Sequence, residues 1–90
     1  MKKVRLVVTG RVQGVWFRSS TCDKARELGV NGYVRNLASG DVEILAEGDD
    51  FKVDGLIRWA RRGPPLARVD NVEVDVLQYD SEYNDFRVRY

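Results

Sequence analysis

The sequence predicts an α+β sandwich in which two helices cover one face of a mostly antiparallel sheet. Three observations carry that prediction. Apolar residues alternate at period two in five short stretches, and two longer stretches space them at three and four. The order runs strand, helix, strand, strand, helix, strand, with one short strand after it. Two helices can cover only one side of such a sheet, which is the split βαβ, ferredoxin-like arrangement βαββαβ plus a C-terminal strand. Residues 1–90 then form one domain, because 90 residues with 43% apolar content build a single core and not two.

Each element has its own warrant. Val4, Leu6 and Val8 alternate with Lys3, Arg5 and Thr9 as the first strand, and Gly10 and Gly14 bracket the bend after it. Thr21, Ala25 and Leu28 then fall at i, i+4 and i+7, with Cys22 widening the stripe. A helix from about Phe17 to Leu28 is expected, stopped by Gly29. Val30 to Leu37 is the second strand, with Gly32, Val34 and Asn36 on one face. If Val34 points toward the helices, the amide of Asn36 points the same way and needs partners. Ala38-Ser39-Gly40-Asp41 is a hairpin connection into a third strand through Val42, Ile44 and Ala46. Arg5, Val7, Thr9, Glu43, Leu45 and Glu47 are expected on the solvent side. Asp49 or Asp50 caps a second helix with Val53, Leu56, Ile57 and Ala60 as its stripe, Trp59 packing beside it, and Gly63-Pro64-Pro65 as its end. Val72, Val74 and Val76 form a fourth strand. A polar turn from Tyr79 to Asp85 leads to a last strand through Phe86, Val88 and Tyr90.

Composition narrows the chemistry. Fifteen basic against fourteen acidic residues leave a net charge of +1, so no chain-wide basic field attracts nucleic acid, and any anion preference is local. The expected solvent side of the first and third strands has no aromatic residue on which an RNA base could stack. Arg58, Arg61 and Arg62 read as a solvated helix end. No apolar run reaches the roughly 20 residues that span a bilayer, and Met1-Lys2-Lys3 leads straight into a strand pattern without a signal peptide, so a cytoplasmic location is expected. The chain has no histidine and a single cysteine. Zinc, haem and iron–sulfur ligand sets cannot be assembled from it, nor can a Ser-His or Cys-His pair, so neither metal nor cofactor is expected. Cys22 reads as a small core residue.

The stretch Gly10-Arg11-Val12-Gln13-Gly14-Val15-Trp16-Phe17-Arg18 lies between the first strand and first helix. Glycine permits positive φ, so the amides from Gln13 to Arg18 can converge as a donor nest at a helix N-terminus, with Arg18 adding a planar charged fork suited to phosphate or carboxylate. A glycine turn with a solvated Arg18 fits the local spacing equally well. Asn36, taken alone, fits a hairpin residue that bonds its own backbone. Arg11 fits either attraction of an anionic ligand or an ion pair with Glu43 or Asp41, and the Gln13 side chain fits a loop cap.

Together, Gly10 to Arg18, Gly32-Tyr33-Val34-Arg35-Asn36, Gly40-Asp41-Val42-Glu43, the stretch from Gly63 to Val69 and the ending Phe86-Arg87-Val88-Arg89-Tyr90 resemble the acylphosphatase family. The resemblance runs over essentially the whole chain. It implies hydrolysis of a small acyl phosphate to a carboxylate and inorganic phosphate, with Arg18 and Asn36 as the catalytic pair and Gln13, Gly14, Val15, Trp16, Phe17 and Arg18 as the phosphate-binding loop. Trp16 stands where that family is variable or small. A monomer without nucleic-acid or membrane partners is expected, and the terminal carboxylate of Tyr90 is a candidate neighbour of Arg18. A non-catalytic anion-binding module is the competing class.

Overall fold

The computed structural model describes every residue from Met1 to Tyr90. Its elements are β1 (Lys2–Arg11), α1 (Phe17–Leu28), β2 (Asn31–Asn36), β3 (Val42–Gly48), α2 (Asp50–Arg62), β4 (Arg68–Leu77) and β5 (Phe86–Arg89). The sheet order is β4-β1-β3-β2-β5. Strand β1 is antiparallel to both β3 and β4, β2 is antiparallel to β3, and β5 adds to β2 in parallel at the edge. This is the ferredoxin-like α+β fold that the element order implies.

Register explains why one face became the core. Val4 faces Ala46, Leu6 faces Ile44 and Val8 faces Val42 across β1 and β3, and Val34 on β2 faces Ile44 from the other side. All of these are fully buried, under Ala25 of α1 and Val53, Leu56 and Ala60 of α2. Cys22 joins this core, as its spacing predicts. The two helices meet where Phe17 packs on the half-buried Trp59, ring centroids 5.6 Å apart.

The other face departs from expectation. Glu43, Leu45 and Glu47 are buried, not solvated. Period two assigns a residue to a face but says nothing about what covers that face. Here the segment between β4 and β5 folds across it. Glu47 accepts the amide N–H groups of Glu82 at 3.0 Å and Tyr83 at 2.8 Å, and the buried Lys3 ammonium bonds Asp80 at 2.7 Å and Glu82. Glu43 is clamped between Arg5 and Arg35, each donating through Nε at 2.6 Å. Arg89 lies over the Tyr33 ring at 4.0 Å. The strap therefore ties down the chain that continues into β5, and β5 carries Val88 and Tyr90 toward the far end of the sheet.

Strand β4 begins at Arg68, four residues before its apolar alternation starts at Val72. Its first residues pair with Gly10 and Arg11 beyond a register shift at Thr9/Gly10, and that bulge breaks the period from which a strand start would be read.

Candidate active site

The loop after β1 is fastened by alternate residues. Val12, Val15 and Phe17 are buried as apolar pegs, whereas Gly14 and Trp16 are exposed between them. Gly14 (φ 74°) and Trp16 (φ 66°) both take left-handed backbone, which turns the peptide planes so that α1 can start at Phe17. Gly14 adopts this at no steric cost. Among the amides from Gly14 to Ser19, none donates to a carbonyl or side chain of the protein; the first bond of the helix runs from the Ser20 N–H to the Trp16 carbonyl at 3.0 Å. The result is a run of unpartnered donors at the positive end of the α1 dipole.

Arg18 and Asn36 line the same cavity at this helix end. It measures about 290 Å³ and is bordered by Val12, Gly14, Trp16, Phe17, Arg18, Ser19, Asn36, Val88 and Tyr90, with no acidic residue among them. Arg18 forms no ion pair and no hydrogen bond within the chain. Its guanidinium instead sits 4.8 Å from the centroid of the Tyr90 ring. Asn36 ends β2, and its Oδ1 is buried without a hydrogen-bond partner. Buried polar atoms are nearly always paired, so an orphaned acceptor beside an unpaired cation is what a site that completes its bonds on a ligand requires.

The acylphosphatase family model matches residues 4–88. The chain belongs to the acylphosphatase family. It is 53% identical over 88 residues to the acylphosphatase of Methylococcus capsulatus, an alignment covering 98% of this chain and 96% of the relative. The acylphosphatase of Bacillus subtilis superimposes with a TM-score of 0.96 at 32% identity, over the full length of both chains. That of Coxiella burnetii gives 0.92 at 43% identity, covering 98% of this chain and 92% of the other. As a member of the acylphosphatase family, the chain is a hydrolase.

Other side chains settle where sequence left alternatives. Gln13 does cap the loop, and it does so across the fold: its Nε2 donates to the carbonyls of Leu37 at 2.8 Å and Asp41 at 2.9 Å, pinning the loop to the β2–β3 hairpin beside Asn36. No local pattern announces those bonds. The ion pair expected for Arg11 does not form: Arg11 is exposed without one, and Glu43 is already taken by Arg5 and Arg35. Tyr90 reaches Arg18 with its ring, and its terminal carboxylate forms no ion pair with that guanidinium. Val88 and Tyr90 border the cavity because β5 runs parallel to β2, which sequence alone did not reveal. No group of three or more His, Cys, Asp and Glu side chains is placed to hold a metal ion, and no helix is long and apolar enough to cross a membrane.

Proposed function

We propose that this hydrolase cleaves the carboxyl-phosphate bond of acyl phosphates by attack of water on phosphorus, with the phosphoryl group held by the loop amides and Arg18 and the water aimed by Asn36. The observation that carries the reading is the shared cavity, whose lining brings the unpaired Arg18 guanidinium and the start of the unpartnered amide run together with Asn36, whose Oδ1 is buried without a partner.

The chemistry suits these groups. A carboxylate leaving group has a low pKa and needs little protonation, so a chain without histidine suffices. In a loose phosphoryl-transfer transition state the charge rests on the equatorial oxygens, where the amides of Gly14, Val15, Trp16, Phe17 and Arg18 and the Arg18 fork act as donors fixed in advance. Gln13 belongs to this loop through its backbone, its side chain being spent on the hairpin. The Asn36 Oδ1 accepts a hydrogen bond from water and directs a lone pair at phosphorus. An amide is too weak a base to take the proton, so a phosphate oxygen of the substrate receives it as the P–O bond to the acyl group breaks. The products are a carboxylate and inorganic phosphate.

Initial rates on acetyl phosphate and on a phosphate monoester, each with and without chelator, test this. Turnover of acetyl phosphate alone, insensitive to chelator and inhibited competitively by inorganic phosphate, is expected. Arg18→Ala should lose roughly 100- to 1,000-fold, the range for one preorganised donor. Phosphate binding without turnover would instead make the chain a non-catalytic anion module.

A further inference from the structure

Resting on that reading, a second groove beside the catalytic cavity bears on what the phosphoryl group is attached to. It runs between α1 and β5, measures about 460 Å³ and shares Ser19, Val88 and Tyr90 with the cavity, so the two spaces adjoin. The cavity has no acidic side chain and one cation, Arg18, which the phosphate uses. The groove adds two acidic and two basic side chains, Asp23 and Arg26 from α1 and Asp85 and Arg87 from the entry to β5.

These four charges are not equivalent. Arg87 donates to Asp85 at 2.8 Å, which spends the two on each other. Asp23 and Arg26 stand three residues apart on one helix face, a spacing at which opposite charges ordinarily pair. Lys24 and Glu27 do pair at that spacing, at 3.5 Å. Asp23 and Arg26 do not. Arg26 is drawn to the sheet, where its Nε donates at 3.2 Å to the carbonyl of Phe86 on the edge strand β5. That bond covers a carbonyl on the open side of the sheet. It also leaves the two Nη groups of Arg26 without a protein acceptor and the Asp23 carboxylate without a protein donor. A cation and an anion are thereby held apart on the wall of a groove that leads away from the phosphate site. At a rise of about 1.5 Å per residue, Asp23 lies about 6 Å and Arg26 about 10 Å along the helix axis from Ser19 at the border, distances on the scale of a short carbon chain and an arginine side chain.

We propose that this groove holds the free α-ammonium group of an amino-acid acyl phosphate against Asp23 and its α-carboxylate against Arg26, so that side-chain acyl phosphates of acidic amino acids are the substrate class the site favours. The reaction is unchanged: water attacks phosphorus, the P–O bond to the acyl group breaks, and the amino acid leaves with its side-chain carboxylate restored. Both contacts are remote from phosphorus and hold ground state and transition state alike, so they act on KM more than on kcat.

The test compares kcat/KM for β-L-aspartyl phosphate and butyryl phosphate, which match in carbon count and net charge, each corrected for its uncatalysed rate. An aspartyl preference of about tenfold is expected, from two exposed ion contacts of about threefold each. The D enantiomer, whose charges reach only one of the two partners at a time, should fall about threefold below the L form. Asp23→Asn should lower the preference about threefold by raising KM for the aspartyl substrate, with butyryl phosphate unaffected. Arg26→Gln should lower it likewise, and thermal unfolding of both variants accounts for the bond that Arg26 also makes to Phe86. Asp23 is bonded to nothing in the chain, so its variant is the decisive one. A native preference near one, equal rates for the two enantiomers, or an Asp23→Asn variant that keeps the native preference overturns the groove while leaving the hydrolytic reading intact. Failure of the native chain to turn over either substrate overturns that reading and the groove with it.

Discussion

Replacing Asn36 by alanine should move stability and activity in opposite directions. The side chain makes no hydrogen bond to the protein, and its Oδ1 is buried without a partner. Alanine removes that unmet acceptor and breaks no bond. A buried polar group left unsatisfied costs about 1–3 kcal/mol, and the lower end applies to a residue that is only half-buried. The gain is trimmed by lost packing at the end of β2, leaving about 0.5 kcal/mol. For a domain of 90 residues that corresponds to a rise in Tm of roughly 4–8 °C per kcal/mol. Over the same substitution, hydrolysis of acetyl phosphate should fall about 100-fold or more, because the attacking water loses its orientation. Inorganic phosphate should still bind and still raise Tm, since the loop amides and Arg18 are untouched. Paired thermal scans with and without phosphate, alongside initial rates, read all three quantities. A variant that is less stable than the native chain and retains its activity would refute the reasoning, making Asn36 a hairpin residue and nothing more.

Other side chains carry consequences of their own. Gln13→Ala leaves the Leu37 carbonyl without its side-chain donor and unpins the loop, so kcat should fall about tenfold with a smaller change in phosphate inhibition, at a stability loss of about 1 kcal/mol. Equal loss of kcat and of phosphate affinity would show the clamp to shape the loop itself and not its alignment with the hairpin. Glu43 gives a pH signature. Burial alone raises its pKa, but hydrogen bonds from Arg35 and Arg5 outweigh burial and hold the carboxyl below its usual range. A lowered folded-state pKa contributes stability that is present above the unfolded value of about 4.3 and is lost as pH falls through the folded one. Glu43→Gln should therefore be less stable than the native chain at pH 7 by about 1–2 kcal/mol, the half-exposed arginines limiting the effect, and the gap should close on acidification below about pH 4. Denaturant melts across pH 2.5–7 measure this, and a gap independent of pH would contradict the clamp.

Much of this arrangement is legible in the sequence. The α1 boundaries followed from Gly14 and Gly29, whose backbone freedom is a local property written in residue type. The period of two put Asn36 on the face of Val34, and from there at the rim of the core, because side-chain alternation survives any tertiary context short of a bulge. What escaped depends on elements distant in sequence. The burial of Glu43 and Glu47 requires the strap from Asp80 to Tyr83 and the cations of Lys3, Arg5 and Arg35, none of which a local window contains. The bidentate bonds of Gln13 end on carbonyls, and carbonyls carry no residue identity to be read. Tyr90 meets Arg18 because β5 docks in parallel on β2, a choice made by the path of the strap and not by the strand's own four residues.

Hydrolysis in ¹⁸O-labelled water bears most directly on the claim that Arg18 and the loop amides present phosphorus, and not the acyl carbon, to a solvent molecule steered by Asn36. Single-turnover reaction with acetyl phosphate, followed by mass analysis of both products, should find the label in inorganic phosphate and none in acetate. Label in acetate would place the attack at the carbonyl carbon and contradict the account.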